Sequence, residues 1–337
     1  MAKVIATPVF RTACIVGVGA IGGWLAAGLA RAGSEVSLLA RGPTLAALQT
    51  DGLQLQSGSG GQQTERHDLR ASANAAELGP QDLVVIAVKA PALGAVVQQI
   101  GPLLGPHTTV LTAMNGVPWW FLHGLGGPLR GHALTSVDPG GAIGAAIDSE
   151  RVIGAVVHAS CSIASPGVVR HGFGNRIILG EPSGERSARV LALCDLLQRG
   201  GFDAPVSDRI QQDIWFKLWG NMTMNPISGF TGATSTAVMN DELVLAFCSR
   251  VMLEARAIGA GFGIPIDQTP ADRHAITRKL GAFKTSMLQD VEAGKPVELD
   301  ALVASVRELG QLVGLPTPEI DTLLGLARLH ARVHGLY

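Results

Sequence analysis

The spacing of apolar residues changes character about two-thirds of the way along the chain. In the first part, short apolar runs alternate with glycine-rich turns. Ala13–Val16 predicts a strand, and a helix runs on through Trp24, Leu25 and Leu29 to a stop at Gly33. Glu35–Ala40 predicts a second strand, and 51–70 a hairpin with its tip at 57–61. Asp82–Val88 is a continuous apolar run, as expected of a parallel strand covered on both faces. A helix over 93–104, strands at Thr109–Ala113 and Val152–Ser162, a hairpin over 167–180 and a helix over 187–197 follow. Residues 118–150 are rich in Gly and Pro and predict no regular element. From Arg209 the period becomes helical, with segments over 213–230, 241–260, 270–293, a helix opened by Pro296–Asp300, and a last helix after Pro318. The pattern is that of an α/β chain: a doubly wound sheet domain over 1–208 and an all-helical domain over 209–337.

The helix at Asp213–Phe230 is apolar on most sides, through Trp215, Phe216, Leu218, Trp219 and Met222. Lys217, Asn221 and Asn225 recur at i, i+4 and i+8, so they share one face. A helix of this kind is normally buried, where an ammonium and two amides need partners. Two explanations stand at this point: a polar stripe satisfied by solvent or backbone, or a functional site.

Composition narrows the classes. The chain has 337 residues, 47% hydrophobic and 16% charged, enough for two cores and far from a disordered composition. A net charge of −1 argues against nucleic acid or an anionic membrane as the main partner. Cys14, Cys161, Cys194 and Cys248 are scattered with no C-x-x-C pair, which favours the reducing cytoplasm over a disulfide or metal framework. Residues 12–30 carry no charge and follow Arg11, like a membrane span, but five glycines interrupt them where a turn belongs. His330 and His334 have ligand spacing without the acid of H-E-x-x-H, so no metal is expected. Neither G-x-S-x-G nor a Walker loop occurs.

The glycine turn carries chemistry. Gly17-Val18-Gly19-Ala20-Ile21-Gly22 is a G-x-G-x-x-G between a strand and a helix, with a second strand behind it. That is the context of a dinucleotide site in a Rossmann-type domain, with the pyrophosphate at the helix N-terminus. The second strand ends in Ala40-Arg41 where NAD sites place an acid, and a guanidinium suits the 2′-phosphate of NADP(H). Lys89 and Asn115 follow the carboxyl ends of two further strands, the rim where such sheets bind ligands. Glu298 opens a helix, where an acid also serves simply to offset the dipole.

GVGAIG at 17–22, AVKAP at 87–91, NG at 115–116, KLWGNMTMNPIS at 217–228, SMLQD at 286–290 and ELD at 298–300 occur in one order across nearly the whole chain. In this the chain resembles the ketopantoate reductases (2-dehydropantoate 2-reductases). The resemblance implies NADPH-dependent reduction of ketopantoate to pantoate, on the way to pantothenate and coenzyme A. It implies that Lys217 is the general acid and that Asn221, Asn225 and Ser286 hold the substrate. Asn115 would stand between substrate and cofactor, Arg41, Lys89 and Ser160 would contact the cofactor, Glu298 would bond it near the nicotinamide ribose, and Asp290 would support. Two features depart from the family pattern. Ser235 stands ten residues past Asn225, where the family often has asparagine, and a Gly/Pro-rich segment over 129–149 is longer than in the shorter members. The alternatives are a related NADP-dependent reductase of another small 2-oxo acid or ketone, and a non-catalytic NADP(H)-binding regulator. A homodimer through the helical half is left open by these patterns.

Overall fold

A computed structural model of the chain describes residues 10–58 and 61–337. The chain forms two compact units: the described residues up to Met114 together with Ala142–Ile210, and Asn115–Gly141 together with Gln211–Tyr337.

The first unit contains β1 (Thr12–Val16), α1 (Ala20–Arg31), β2 (Glu35–Leu39), α2 (Gly42–Asp51), β3 (Leu53–Ser57), β4 (Gln63–His67) and β5 (Arg70–Ser72). It continues with α3 (Ala75–Leu78), β6 (Gln81–Ile86), α4 (Ala90–Val97), β7 (Leu104–Thr112), α5 (Ala142–Ala146), β8 (Val152–Ser165), β9 (Val168–Gly180) and α6 (Ala188–Arg199). The strands make one sheet in the order β4-β3-β9-β8-β7-β6-β1-β2-β5. β1 runs parallel to both neighbours, with Ile15 beside Leu38 on one side and Val85 on the other. Ile15, Leu38, Leu83, Val85 and Leu111 are buried with Leu25 and Leu29 of α1 in one core on one face, and Cys14, Val16, Val84 and Ile86 of the other face are buried as well. The chain winds from β1 to β2 in one direction and resumes at β6 in the other, so the ends of β1 and β6 form a topological switch point.

Two of the expected elements differ, and a third forms as expected. The helix expected over 93–104 ends at Val97, because Gly101-Pro102 starts a short 3₁₀ turn that leads into β7. The hairpin expected over 167–180 is instead a single long strand, β9, which pairs antiparallel with β8 around the turn at Gly167. The hairpin over 51–70 forms as β3 and β4, while Ser59 and Gly60 of its tip lie outside the described residues.

The second unit contains α7 (Ile210–Thr231) from its second residue on, α8 (Ser235–Asn240), α9 (Glu242–Gly261), α10 (Pro270–Lys279), α11 (Ser286–Glu292), α12 (Ser305–Leu312) and α13 (Pro318–Val333). α7 is its axis. Trp215, Leu218, Trp219 and Met222 are buried, and Trp219 Nε1 donates to the Met252 carbonyl on α9 at 2.7 Å. Burying each of these side chains contributes roughly 2–3 kcal/mol. The helix expected over 270–293 is broken into α10 and α11: Gly281 turns the chain at φ +73°, and the Thr285 side chain accepts from the Leu288 N–H to start a new helix.

The domain expectation of 1–208 and 209–337 needs one correction, since Asn115–Gly141 belongs with the helices. Phe121 packs against Trp215 of α7 and Phe262, with ring centroids 6.2 and 6.1 Å apart. The backbone N–H groups of Thr135 and Ser136 donate to the two Glu308 carboxylate oxygens at 2.7 and 2.8 Å. The Gly/Pro-rich segment is therefore pinned to the helical unit by aromatic burial and by one carboxylate. Among the described residues no helix is long and apolar enough to cross a membrane.

Candidate active site

On the first unit, the glycine turn follows β1, Arg41 follows β2 and Lys89 follows β6, so all three lie at the carboxyl ends of adjacent strands. Gly17 has φ +96°, and a Cβ there would sit 2.5 Å from Val88 Cγ1. A Cβ on Gly22 would lie 2.0 Å from the Gly17 carbonyl oxygen. Neither position admits a side chain, and the turn is held against the segment that carries Lys89. At Gly19 a Cβ would meet nothing within 4 Å, and Gly19 caps α1 with no side-chain bond and no acid in the first turn. Gly19 thus leaves open space beside the start of α1, where unpaired first-turn N–H groups would meet a pyrophosphate. Arg41 is exposed at the start of α2 and makes no ion pair among the described residues. These features fit a dinucleotide bearing a 2′-phosphate. Val18, Ala20 and Ile21 complete the turn. Ser160 lies elsewhere along the sheet, on β8 opposite Phe173, where the register slips on both sides of it.

On the second unit, Lys217 is partly buried in the middle of α7, and its Nζ donates to Asn115 Oδ1 at 2.8 Å. Burial pushes the Lys217 ammonium down to about 8, against the opposing pull of the Glu298 carboxylate. An ammonium in that range gives up its proton near neutral pH. Asn221 and Asn225 stand one and two turns further along the same face, and Asn225 is buried at 6% exposure. Among the described residues neither side-chain amide has a hydrogen-bond partner, so the donors and acceptors of both are uncommitted within the chain. Ser286 is exposed as the first residue of α11, and Asp290 is buried on the next turn.

Asn115 is held by an irregular helix. Asp300–Ala304 is a π-helical turn ahead of α12, and its Ala301 carbonyl accepts from the Val117 N–H at 2.8 Å and from Ser305 Oγ at 2.9 Å. Gly116 has φ +81°, and a Cβ there would lie 2.4 Å from that same carbonyl oxygen. Glu298 is buried just before the turn, between the Val297 N–H bond to the Leu336 carbonyl and the Leu302 N–H bond to its own carbonyl. Lys217, Asn115 and Glu298 are thereby fixed in one unit. Gly116→Ala should lower the melting temperature and the activity together, since positive φ alone costs a side chain about 1–2 kcal/mol. Unchanged melting and turnover would remove the turn from this account.

Residue patterns did not single out Arg273. Its guanidinium lies 5.5 Å from the Phe216 ring centroid and against Gly220, where a Cβ would meet Nη2 at 2.7 Å. Its Nε is buried without a partner, and burial pushes its pKa down. The signal for it is Gly220 itself, a glycine inside an otherwise bulky helix that leaves room for a flat cation.

The chain matches the family model described as ketopantoate reductase PanE/ApbA over residues 13–184, and its C-terminal counterpart over residues 209–331. A 2-dehydropantoate 2-reductase of Mesorhizobium japonicum is 50% identical, over 96% of this chain and 98% of that protein. A solved structure from Ralstonia solanacearum MolK2, itself assigned to the ketopantoate reductases, is 56% identical with a TM-score of 0.93, covering 98% of this chain and 100% of that one. A D-mandelate dehydrogenase solved with NADH and anilino(oxo)acetate shares the fold at 20% identity, with a TM-score of 0.81 over 97% of this chain and 100% of that one. Fold, site and relatives define the class: an oxidoreductase that acts on a CH–OH group with a nicotinamide dinucleotide. Within that class, the chain belongs to the ketopantoate reductase family.

Proposed function

We propose that the chain reduces 2-dehydropantoate to pantoate with NADPH, the step that supplies pantoate for pantothenate and coenzyme A, and that it does so in the cytoplasm. The observation that carries this proposal is the Lys217 ammonium, lowered to about 8 and bonded to Asn115, beside the two unpartnered amides of Asn221 and Asn225. The nicotinamide, when bound, supplies the hydride. Lys217 donates its proton to the ketone oxygen as negative charge builds there, so that ketone, hydride and proton become the alcohol. Asn115 aims the ammonium. Asn221, Asn225 and Ser286 hold the hydroxyl and carboxylate of the substrate, and they do so without adding a charge that competes with Lys217. Gly17–Gly22 holds the pyrophosphate, Arg41 the 2′-phosphate, Lys89 and Ser160 the rest of the cofactor, and Glu298 the ribose next to the nicotinamide. The D-mandelate dehydrogenase of the same fold was solved with NADH, so the preference for NADPH rests here on Arg41.

Ser235, standing where the family often has a substrate asparagine, favours a second proposal: the same reaction on another small 2-oxo acid. A panel of 2-oxo acids, each assayed with NADPH and with NADH, decides between the two. Under the first proposal kcat/KM is highest for 2-dehydropantoate with NADPH; turnover confined to a different acid supports the second. The pH dependence is a further test. The acid works only while protonated, so kcat/KM should be level below about 8 and fall as pH rises through that value. A profile that stays flat well past it would remove Lys217 as the proton donor.

A further inference from the structure

Ser235 is the first residue of α8 and is 1% exposed. It is bonded three times to the loop between α10 and α11. Its backbone N–H donates to the Phe283 carbonyl at 3.0 Å, its Oγ donates to the Gly281 carbonyl at 3.0 Å, and its Oγ accepts from the Phe283 N–H at 3.0 Å. The hydroxyl proton and a lone pair are both in use, and the group has almost no surface, so it is closed to any ligand.

The loop it grips ends at Thr285, whose side chain caps α11, and Ser286 follows at once. At its other end Ser235 is tied to the axis of the unit. Ser228 of α7 is fully buried and donates its Oγ to the Ala233 carbonyl at 2.6 Å, just ahead of α8. α11 rests directly on α7 as well, because a Cβ on Gly229 would meet Met287 Cγ at 3.1 Å. Asn225 and Ser286 therefore sit on two helices joined by one packing contact and by a short relay of hydrogen bonds through Ser228 and Ser235.

We infer that Ser235 is a positioning residue for the reduction: it fixes the loop before α11 so that Ser286 stands at a set distance from Asn225, and so sets the affinity for the keto acid. This rests on Ser286 being a substrate contact, as proposed above.

A double-mutant cycle tests this, using the keto acid that the wild type turns over best, so that a different preferred substrate corrects the functional proposal without touching this one. Ser235→Ala removes the bonds to the Gly281 carbonyl and the Phe283 N–H, releasing the loop before α11, and should raise KM for the keto acid about tenfold. Its kcat and its KM for NADPH should stay within about twofold. In a Ser286→Ala background the same change should add less than about twofold, because both act through one contact. A full multiplication of the two effects, or a loss spread equally over kcat and both KM values, overturns the inference. Should Ser235→Ala fail to fold, Gly281→Ala disturbs the same loop from a position with φ +73° and open space around it, and the same outcomes apply.

Discussion

Lys217→Ala is expected to cut kcat by at least about 100-fold, the usual scale for losing a general acid. The helix that carries it should survive, because its packing comes from Trp215, Leu218, Trp219 and Met222 on other faces, all of them buried. KM for NADPH should change little, since the glycine turn and Arg41 belong to the other unit. Lys217→Arg separates charge from proton transfer. A guanidinium keeps the positive charge but holds its proton too tightly to release it near neutrality, and its planar fork does not reproduce the single bond from Nζ to Asn115. It should therefore remain far below wild type. Recovery of most of the rate by arginine would mean that the charge, and not the proton, is what matters.

The second large effect concerns the cofactor. Arg41→Ala should weaken NADPH binding by about 10- to 100-fold, the scale of one charge-assisted bond to phosphate, while leaving NADH unchanged. The reasoning is positional. β2 lies beside β1, and its end is where a Rossmann-type sheet meets the adenosine ribose. Arg41 is exposed there, makes no ion pair among the described residues, and has no acid beside it in the chain to take its charge. Equal losses for NADPH and NADH would place Arg41 outside the 2′-phosphate contact.

Much of this was visible in the residue pattern, and what was not has a physical cause. β1 and β6 announce themselves as uninterrupted apolar runs because they are buried on both faces, and the glycine turn because positions 17 and 22 tolerate no side chain. The face shared by Lys217, Asn221 and Asn225 follows from helical period alone. Long-range choices are different. That Phe121 belongs with Trp215 and Phe262 depends on packing between residues far apart in sequence, and nothing local encodes it. The break at Gly281 hides within a sequence otherwise suited to one helix, and only the Thr285 cap gives it away. The π-helical turn at Asp300–Ala304 follows a familiar acidic helix start, yet its Ala301 carbonyl accepts from the Val117 N–H, two residues past Asn115. Ser235 has the same lesson: its identity suggested a missing substrate contact, and its surroundings reveal three bonds to a loop.

The most direct test of the central proposal follows the transferred hydrogen. Purified protein is incubated with 2-dehydropantoate and NADPH deuterated at the reactive nicotinamide carbon, and the product is examined by mass spectrometry and NMR, with Lys217→Ala alongside. The proposal predicts pantoate carrying the deuterium on the carbinol carbon, formed by the wild type and at least about 100-fold more slowly by the variant. Absence of labelled pantoate from the wild type, or equal formation by both proteins, would contradict it.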